Sequence, residues 1–453
     1  MDTPIFDFVQ NYIKSNTARL HMPGHKGVSF LGCESFDITE IKGADELYAP
    51  EGIIRKSEEN ATRLFDTAKT VYSVGGSSQS INAMLYLAFQ KADKSHRPFV
   101  LAGRNAHKSF IYALAKLDAD VEWLYPERTQ SLCSSMVTAE RLQNTLEKLE
   151  NKPFAVYITS PDYLGKIANI SELSKVCKEY DIPLLVDNAH GSYLKFCPKD
   201  MHPISLGADM CCDSAHKTLP VLTGGGYLHI AKSDKYGFLK NAVNAMSIFG
   251  STSPSYLILQ SLDLCNKYID EKICEDIKKC AEKCEKISHI MVECGVWNST
   301  IPQFYEPLKI TADFSEYEGN FAEHFRKYGI EPEYADDDYV VFMISPQNSD
   351  EDFKKLENAF RNLELTLKDD FNEDTISFVF GEKVMTIREA IFSESEAISV
   401  ENAVGRICAS PTVSCPPAIP IAVSGEKITD KHIELFKKYN IHKILVVKKE
   451  STN

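Results

Sequence analysis

The sequence lacks the segments that carry a protein into or across a membrane. Residues 1–27 contain no basic stretch followed by an apolar run, so we expect no signal peptide. No uninterrupted apolar stretch in the chain reaches membrane-spanning length. We therefore expect a cytoplasmic protein without a membrane partner.

An excess of positive charge is also missing. The chain has 50 Lys and Arg against 64 Asp and Glu, a formal net charge of −14. Proteins that bind nucleic acid carry basic patches, so this balance argues against a nucleic-acid partner. The charge would mildly favour a cationic substrate through long-range attraction, but plain solubility explains it at least as well.

The cysteines do not form the regular pattern of a disulfide framework. Thirteen of them, an odd number, are scattered over 453 residues without a secretion signal, which favours reduced thiols. Cys280 and Cys284 are four apart on a predicted helix, with Cys274 and Cys294 nearby. We interpret them as small buried residues on one helix face and expect no metal site.

What the sequence does contain is enough length for several domains. Strands and helices alternate through its middle third, which predicts an α/β fold with a mostly parallel sheet and helices on both faces. In such sheets the ligand lies at the carboxyl ends of the strands. We predict an N-terminal arm (1–52), a large domain (53–272), a small α+β domain (273–370) and a C-terminal domain (371–453).

The predicted strands of this middle part are short and apolar. They read FVLAGR, VEWLY, FAVYITSP, PLLVD, ADMCCD and GGYLHIA in chain order. Between the third and fourth strands, NISELSKVCKEYD has helical spacing, and Ser171 is its predicted N-cap. A longer amphipathic helix is predicted over Glu275–Cys294.

The most informative segment is CCDSAHKTL (Cys211–Leu219), which holds Ser214, His216 and Lys217 at the exit of a predicted strand. A lysine there can form a Schiff base with an aldehyde cofactor while the serine and histidine hold its phosphate. Pyridoxal phosphate (PLP) needs this arrangement, together with an aspartate on its ring nitrogen. Asp187, at the end of PLLVD, is the candidate, although a strand-end aspartate often caps the next helix.

A second phosphate-binding element is predicted at Gly75-Gly76-Ser77-Ser78, just before a helix. Backbone amides at a helix N-terminus suit a phosphate, but serine is also a preferred N-cap. Two histidines follow strand ends in the same way. His107 is a candidate for stacking on the ring and His190 for a place beside it, although a lone histidine is more often structural.

The chain resembles the ornithine/lysine/arginine decarboxylases of PLP fold type I, in their shorter bacterial form. The resemblance runs nearly end to end. Its motifs are LHMPGHKG (Leu20–Gly27), DITEIKGADELYAPEG (Asp37–Gly52), GGSSQSINAML, RNAHKSF, VDNAHG, DSAHKTLPVLTGG and the C-terminal GRICAS, CPPAIP and SGE.

The resemblance implies roles for the candidate residues. Lys217 would carry PLP, Asp187 would bind the ring nitrogen and His107 would stack on the ring, with His190 beside it. The phosphate would be held by Gly76, Ser77, Ser78, Ser214 and His216. Glu426 and His25 become candidates for contact with the substrate. The family also implies a homodimer with shared active sites, or a higher homo-oligomer.

The chain departs from the family pattern at three places. Asp187-Asn188-Ala189-His190 stands where Asp-Glu-Ala-His is common, and Gly224–Gly226 where a glutamine often follows the lysine segment. The proline-rich loop reads Cys415-Pro416-Pro417-Ala418 instead of Tyr-Pro-Pro-Gly. The PLP residues are intact, so these departures bear on the substrate.

The implied activity is decarboxylation of a small-molecule basic amino acid, arginine before lysine or ornithine, giving carbon dioxide and a polyamine-type amine. Two alternatives remain open. One is a PLP-dependent aminotransferase or lyase, which would need an arginine on the substrate carboxylate. The other is a catalytically weak homologue with a binding role, which the altered loop motivates.

Overall fold

The computed structural model describes residues 1–126, 131–298, 305–369, 379–413 and 419–449. Its α-helices are α1 (Pro4–Lys14), α2 (Ile53–Phe65), α3 (Gly76–Phe89), α4 (Lys108–Leu117), α5 (Ala139–Leu146), α6 (Ile170–Glu179), α7 (Ala215–Thr218), α8 (Ala242–Ile248), α9 (Tyr256–Glu271), α10 (Ile273–Glu293), α11 (Phe321–Lys327), α12 (Asp350–Arg361), α13 (Ile387–Phe392) and α14 (Asp430–Lys438). None of these helices is both long and apolar enough to cross a membrane.

The strands are β1 (Lys69–Ser73), β2 (Phe99–Gly103), β3 (Asp120–Leu124), β4 (Val156–Thr159), β5 (Leu184–Asp187), β6 (Met210–Asp213), β7 (Gly226–Ile230), β8 (Trp297–Asn298), β9 (Lys309–Asp313), β10 (Tyr317–Glu318), β11 (Tyr334–Ala335), β12 (Tyr339–Met343), β13 (Thr366–Leu367), β14 (Ser395–Ser399), β15 (Thr412–Val413), β16 (Pro420–Ala422) and β17 (Lys443–Val447). All six predicted strands of the middle third are confirmed, as β2 to β7.

The chain divides into two compact units. The first comprises residues 1–91, 183–279 and 345–347. Its four strands lie in the order β1-β7-β6-β5, with β5 and β6 parallel and β7 antiparallel to both neighbours. Every residue of β5, β6 and β7 is buried, which is typical of strands covered on both faces. Helix α3 packs against all four strands.

The second unit comprises residues 92–182, 280–344 and 348–453. Strands β4, β2 and β3 are parallel and adjacent in that order. A four-stranded antiparallel sheet, β11-β12-β9-β8, and three antiparallel pairs, β10-β13, β14-β17 and β15-β16, complete its described strands. The sequence predicts a mostly parallel sheet where strands and helices alternate in the middle third, and an α+β arrangement after it.

The prediction of Ser171 as an N-cap is wrong. Helix α6 begins at Ile170, and its N-cap is Asn169, whose side-chain oxygen accepts a hydrogen bond from Glu172 N at 3.3 Å. Asn and Ser are about equally good caps, so the sequence alone does not choose between positions two residues apart. The long helix predicted over Glu275–Cys294 is confirmed as α10.

Candidate active site

Lys217 lies where the first unit changes from strand to helix. Strand β6 ends at Asp213, and the buried Ser214 is the N-cap residue of the short helix α7. The backbone N–H of Lys217 donates to the carbonyl of Ser214 at 3.0 Å. Its Nζ lies 2.9 Å from His190 Nε2. An ammonium only donates, so His190 accepts this hydrogen bond at Nε2 and holds its own proton on Nδ1.

Asp187 ends the neighbouring strand β5 and is 2% exposed. Its Oδ1 accepts a hydrogen bond from Ala189 N at 3.2 Å and a weaker one from Cys212 Sγ at 3.6 Å. The next helical segment, the 3₁₀ turn Ser192–Phe196, has Gly191 at its N-cap position. Asp187 therefore does not cap a helix, which leaves a buried carboxylate at the carboxyl end of a parallel strand.

The turn before α3 forms a backbone cradle. Gly75 is the N-cap residue, and Ser77 and Ser78 belong to the first helical turn, where N–H groups have no partner within the helix. Gly76 has φ = +65°, a conformation that favours glycine, and its N–H donates to Gly224 O at 2.7 Å. A carboxylate, phosphate or similar anion is stabilised at such a helix end.

Strand β7 approaches this cradle closely. A Cβ on Gly226 would lie 2.7 Å from Asp213 O, 3.2 Å from Gly76 C and 3.4 Å from Ser77 N. No side chain fits there, so the glycine lets the exit of β6 and the start of α3 meet across β7. The sequence motif Gly224–Gly226 thus has a packing reason that its position alone did not reveal.

His216 borders the cradle. A Cβ on Gly76 would lie 3.6 Å from His216 Cε1. The Nδ1–H of His216 donates to Gly225 O at 2.8 Å, because a carbonyl only accepts, and Nε2 remains as the ring nitrogen for a further partner. Burial is the main cause that lowers the pKa of His216, opposed by the Gly225 carbonyl and assisted by Lys217.

The first unit brings several of the predicted phosphate-binding residues close together. Gly76 and Ser77 lie close to Gly226, and Gly76 lies close to His216, which directly precedes Lys217.

His25, also in the first unit, lies in the N-terminal arm. Its Nδ1 accepts from Gly27 N at 3.0 Å and its Nε2 contacts Asp37 Oδ2 at 3.2 Å.

His107 and Glu426 belong to the second unit. His107 is the N-cap of α4, and its Nδ1 accepts from Ser109 N at 3.1 Å, which fixes the direction of the ring. Glu426 is 9% exposed and accepts from Val423 N at 3.0 Å. Burial raises its pKa, although the positive charge of Arg104 opposes the shift. The proline-rich motif Cys415–Ala418 lies outside the described residues.

Sequence reasoning missed the side chains behind the strand ends. Asn188 Nδ2 donates to Asp213 Oδ1 at 2.7 Å, which joins the loop after β5 to the end of β6. Asp213 Oδ2 also lies 3.2 Å from His202 Nε2 and from His229 Nε2. Cys211 and Asp213 alternate onto one face of β6, and Cys211 pairs with His229 on β7, but this pairing is known only from the fold.

Comparison with known proteins identifies the family of the chain. The family model "Orn/Lys/Arg decarboxylase, major domain" matches residues 3–358, and its C-terminal domain model matches residues 376–441. The arginine decarboxylase of Bacillus anthracis is 28% identical over 467 residues, which cover 96% of this chain and 93% of that protein. The arginine decarboxylase of Halalkalibacterium halodurans is 28% identical over 468 residues, with 97% and 93% covered.

A solved structure extends the likeness to the fold. The crystal structure of a lysine decarboxylase from Francisella novicida has a TM-score of 0.80 and 16% identity, covering 98% of this chain and 81% of that one. This confirms the predicted fold class, the mostly parallel, helix-flanked sheet of PLP fold type I. Because the major-domain model matches most of the sequence, the chain belongs to the Orn/Lys/Arg decarboxylase family.

Proposed function

We propose that this protein is a PLP-dependent decarboxylase that acts on a basic amino acid, arginine before lysine or ornithine, and releases carbon dioxide and the corresponding amine. The observation that carries the proposal is the contact of Lys217 Nζ with His190 Nε2 at 2.9 Å, in the unit that also holds Asp187 and the Gly76–Ser78 cradle. Arginine is favoured because two relatives matched over nearly their whole length are named arginine decarboxylases.

The residues present fit the cofactor. A phosphate needs donors, and the turn at Gly76, the N–H groups of Ser77 and Ser78 in the first helical turn and the nearby ring of His216 offer them. We also assign the hydroxyls of Ser77, Ser78 and Ser214 to the phosphate. Nε2 of His216 donates only when the ring is protonated, and the negative charge of a phosphate favours that form. Lys217 follows His216 directly and is the proposed covalent anchor.

When bound, PLP would supply an electron sink for the bonding pair that stays on Cα when carbon dioxide leaves. The chain supplies orientation and proton control. Asp187 is buried at the end of β5, where its negative charge favours a proton on a ring nitrogen beside it. His190 Nε2 accepts a hydrogen bond from Lys217 Nζ and so positions the amine. We assign ring stacking to His107.

The remaining assignments concern the substrate and the assembly. We assign Glu426 to the distal cation of the substrate and His25 to a second contact. Glu426 has an acidic group suited to a guanidinium or ammonium, and its burial strengthens such an attraction. We further propose a cytoplasmic homodimer or higher homo-oligomer with shared active sites that serves polyamine formation.

The test is an assay of the purified, PLP-loaded protein with arginine, lysine and ornithine in separate reactions. We expect carbon dioxide and one amine from one substrate in preference to the others. Lys217→Ala should abolish both the release and the visible absorbance of the lysine-bound cofactor. The exposed Lys199→Ala is the matched control and should behave as the unmodified protein.

Two outcomes would overturn the proposal. Carbon dioxide release that survives Lys217→Ala would remove this residue as the anchor. No release from any of the three amino acids, with the cofactor bound, would reject the decarboxylase, and conversion of a 2-oxo acid under the same conditions would identify an aminotransferase.

A further inference from the structure

A cluster of polar side chains from β6, β7 and the segment before β6 lies outside the residues assigned to the cofactor. It consists of His202, Cys211, Asp213 and His229, whose ligand atoms all lie within 4.8 Å of one another. All four residues are fully buried. Burying this many polar groups together in a core is costly unless they are satisfied by one another or by a metal ion.

The distances in the cluster match the edges of a tetrahedron around a metal. Asp213 Oδ2 lies 3.2 Å from both His202 Nε2 and His229 Nε2. Cys211 Sγ lies 3.8 Å from His202 Nε2 and, like the other ligand atoms, within 4.8 Å of the rest of the cluster. Tetrahedral zinc with bonds of about 2.0–2.3 Å to nitrogen, oxygen and sulfur places its ligands roughly 3.2–3.7 Å apart.

The atoms around the cluster resemble the outer shell of a metal site. Asp213 turns Oδ2 toward both histidines, while its Oδ1 accepts from Asn188 Nδ2 at 2.7 Å. Nδ1 of His229 lies 2.9 Å from Thr70 Oγ1, a hydroxyl that can accept a hydrogen bond from Nδ1–H when Nε2 binds a metal. Such partners fix the orientation of the Asp213 carboxylate and the His229 ring, whereas the buried Nδ1 of His202 has no hydrogen-bond partner within the described residues.

We propose that His202 Nε2, Cys211 Sγ, Asp213 Oδ2 and His229 Nε2 bind one structural zinc ion. Two neutral imidazoles, one carboxylate and one thiolate balance the charge of Zn²⁺. Binding displaces the thiol proton of Cys211 to solvent and leaves each imidazole proton on Nδ1. All four coordination positions are taken by the protein, which is the pattern of a structural and not a catalytic zinc site.

The site would brace the two strand ends that carry the cofactor residues. Asp213 directly precedes Ser214, and Asn188 lies between Asp187 and His190 in the loop after β5. A metal on Asp213 would fix the carboxylate that Asn188 holds, and through it both segments. This inference does not depend on which amino acid is the substrate.

The test is elemental analysis of the full-length, PLP-loaded protein, purified without chelators, supplied with zinc and then freed of loosely bound metal. We expect about one zinc ion per chain. Cys211→Ser and His229→Ala should each lose most of it. Cys197→Ser is the matched control, because Cys197 is also a buried cysteine but lies outside the cluster, and it should keep its zinc.

Cobalt provides a measurement that does not require any variant to fold. In protein reconstituted with Co²⁺, we expect the intense visible bands of tetrahedral coordination and a thiolate-to-cobalt charge-transfer band. Zinc content well below one per ten chains, or the spectrum of six-coordinate cobalt, would overturn the proposal. Stoichiometric zinc retained in both Cys211→Ser and His229→Ala would also overturn it, because the metal would then lie elsewhere.

Discussion

Asn188 links the loop after β5 to the end of β6 through its side-chain amide. A glutamate is common at this position in the family pattern, yet here the amide donates to Asp213 Oδ1 at 2.7 Å. A glutamate in its place would set two carboxylates against each other in a buried region, which forces one of them to take up a proton. The amide of Asn188 therefore joins the loop after β5 to the end of β6 without placing a second buried carboxylate beside Asp213.

Asp187 is the residue on which turnover should depend most after Lys217. Asp187→Asn keeps the size of the side chain but removes its negative charge, so a proton on the cofactor ring is no longer favoured. We expect turnover to fall by about 100-fold or more, while cofactor is retained. The measurement is single-turnover carbon dioxide release alongside cofactor absorbance, and near-normal turnover would contradict the role.

Substitution of Gly226 should impair cofactor binding, although we assign this residue no contact with the reacting atoms. A Cβ there meets Asp213 O at 2.7 Å and Gly76 C at 3.2 Å, so Gly226→Ala must push the cradle and the exit of β6 apart. We expect cofactor affinity to fall by about tenfold or more, since roughly 1.4 kcal/mol of strain is enough for that. Gly24→Ala, where a Cβ meets nothing within 4 Å, is the control for equilibrium cofactor titration.

At the scale of elements, β1 is an edge strand whose outer side is covered by helix α2. Glu58 of α2 accepts a hydrogen bond from Tyr72 N of β1 at 2.9 Å. Ser57 Oγ, one residue earlier, donates to Asp263 Oδ1 of α9, and Asp263 Oδ2 accepts from Ile5 N of α1 at 2.8 Å. Buried carboxyl groups thus occupy backbone donors that an open strand edge or helix end would leave unpaired.

This arrangement makes stability depend on pH. Burial raises the pKa of Glu58 from 4.5 to about 7, despite the hydrogen bond from Tyr72. The folded state therefore binds a proton that the unfolded state has lost, and the free energy of unfolding falls as pH rises from about 4.5 to about 7. At roughly 1.4 kcal/mol per pKa unit, the loss is about 3 kcal/mol.

Glu58→Gln isolates that contribution. The amide oxygen still accepts from Tyr72 N, but it cannot ionise, so the variant should match the original protein at pH 5 and unfold a few degrees higher at pH 8. Thermal unfolding followed by circular dichroism measures the difference. Glu59→Gln, at an exposed neighbour on the same helix, should show no such change, and equal effects of Glu58→Gln at both pH values would contradict the assignment.

At the scale of the whole molecule, the N-terminal arm carries large apolar side chains that are exposed to solvent. Leu20 is 94% exposed, Phe30 84% and Leu31 85%. Large exposed apolar side chains in one segment are typical of a surface that another chain covers. If the proposed homodimer forms through this surface, Phe30→Glu combined with Leu31→Glu should give a monomer in light scattering after size exclusion, whereas Leu367→Glu, at a 64% exposed leucine, should not.

The sequence predicted the parts of this molecule that follow from local patterns. Leu184–Asp187 and Met210–Asp213 are short buried runs, so their ends, and with them Asp187 and Lys217, could be located at the carboxyl edge of parallel strands. The cap of α6 was misplaced because Asn169 and Ser171, two residues apart, are about equally suitable. The assigned functions of the site residues, and the four-part division of the chain, stay predictions.

What could not be predicted depends on contacts between distant segments. His202 and His229 reach Asp213 from a loop and from another strand, and each alone is an ordinary histidine in the sequence. Glu58 reads as one more charged residue on an amphipathic helix until β1 lies against it. Burial brings the two histidines together with Asp213 away from water, and it raises the pKa of Glu58. Burial is a property of the fold and not of the local sequence.

The pairing of β1 with β7 also governs when the cofactor cradle forms during synthesis. Lys69 pairs with Ile230, and the segment between them includes a stretch that belongs to the second unit. On the ribosome, β1 and the Gly76 turn emerge long before β7 and Gly226 exist to support them. In a nascent chain the hydrogen-bonding groups that β1 shares with β7 therefore stay unpaired until β7 is made, and the cradle at Gly76 is complete only after that point.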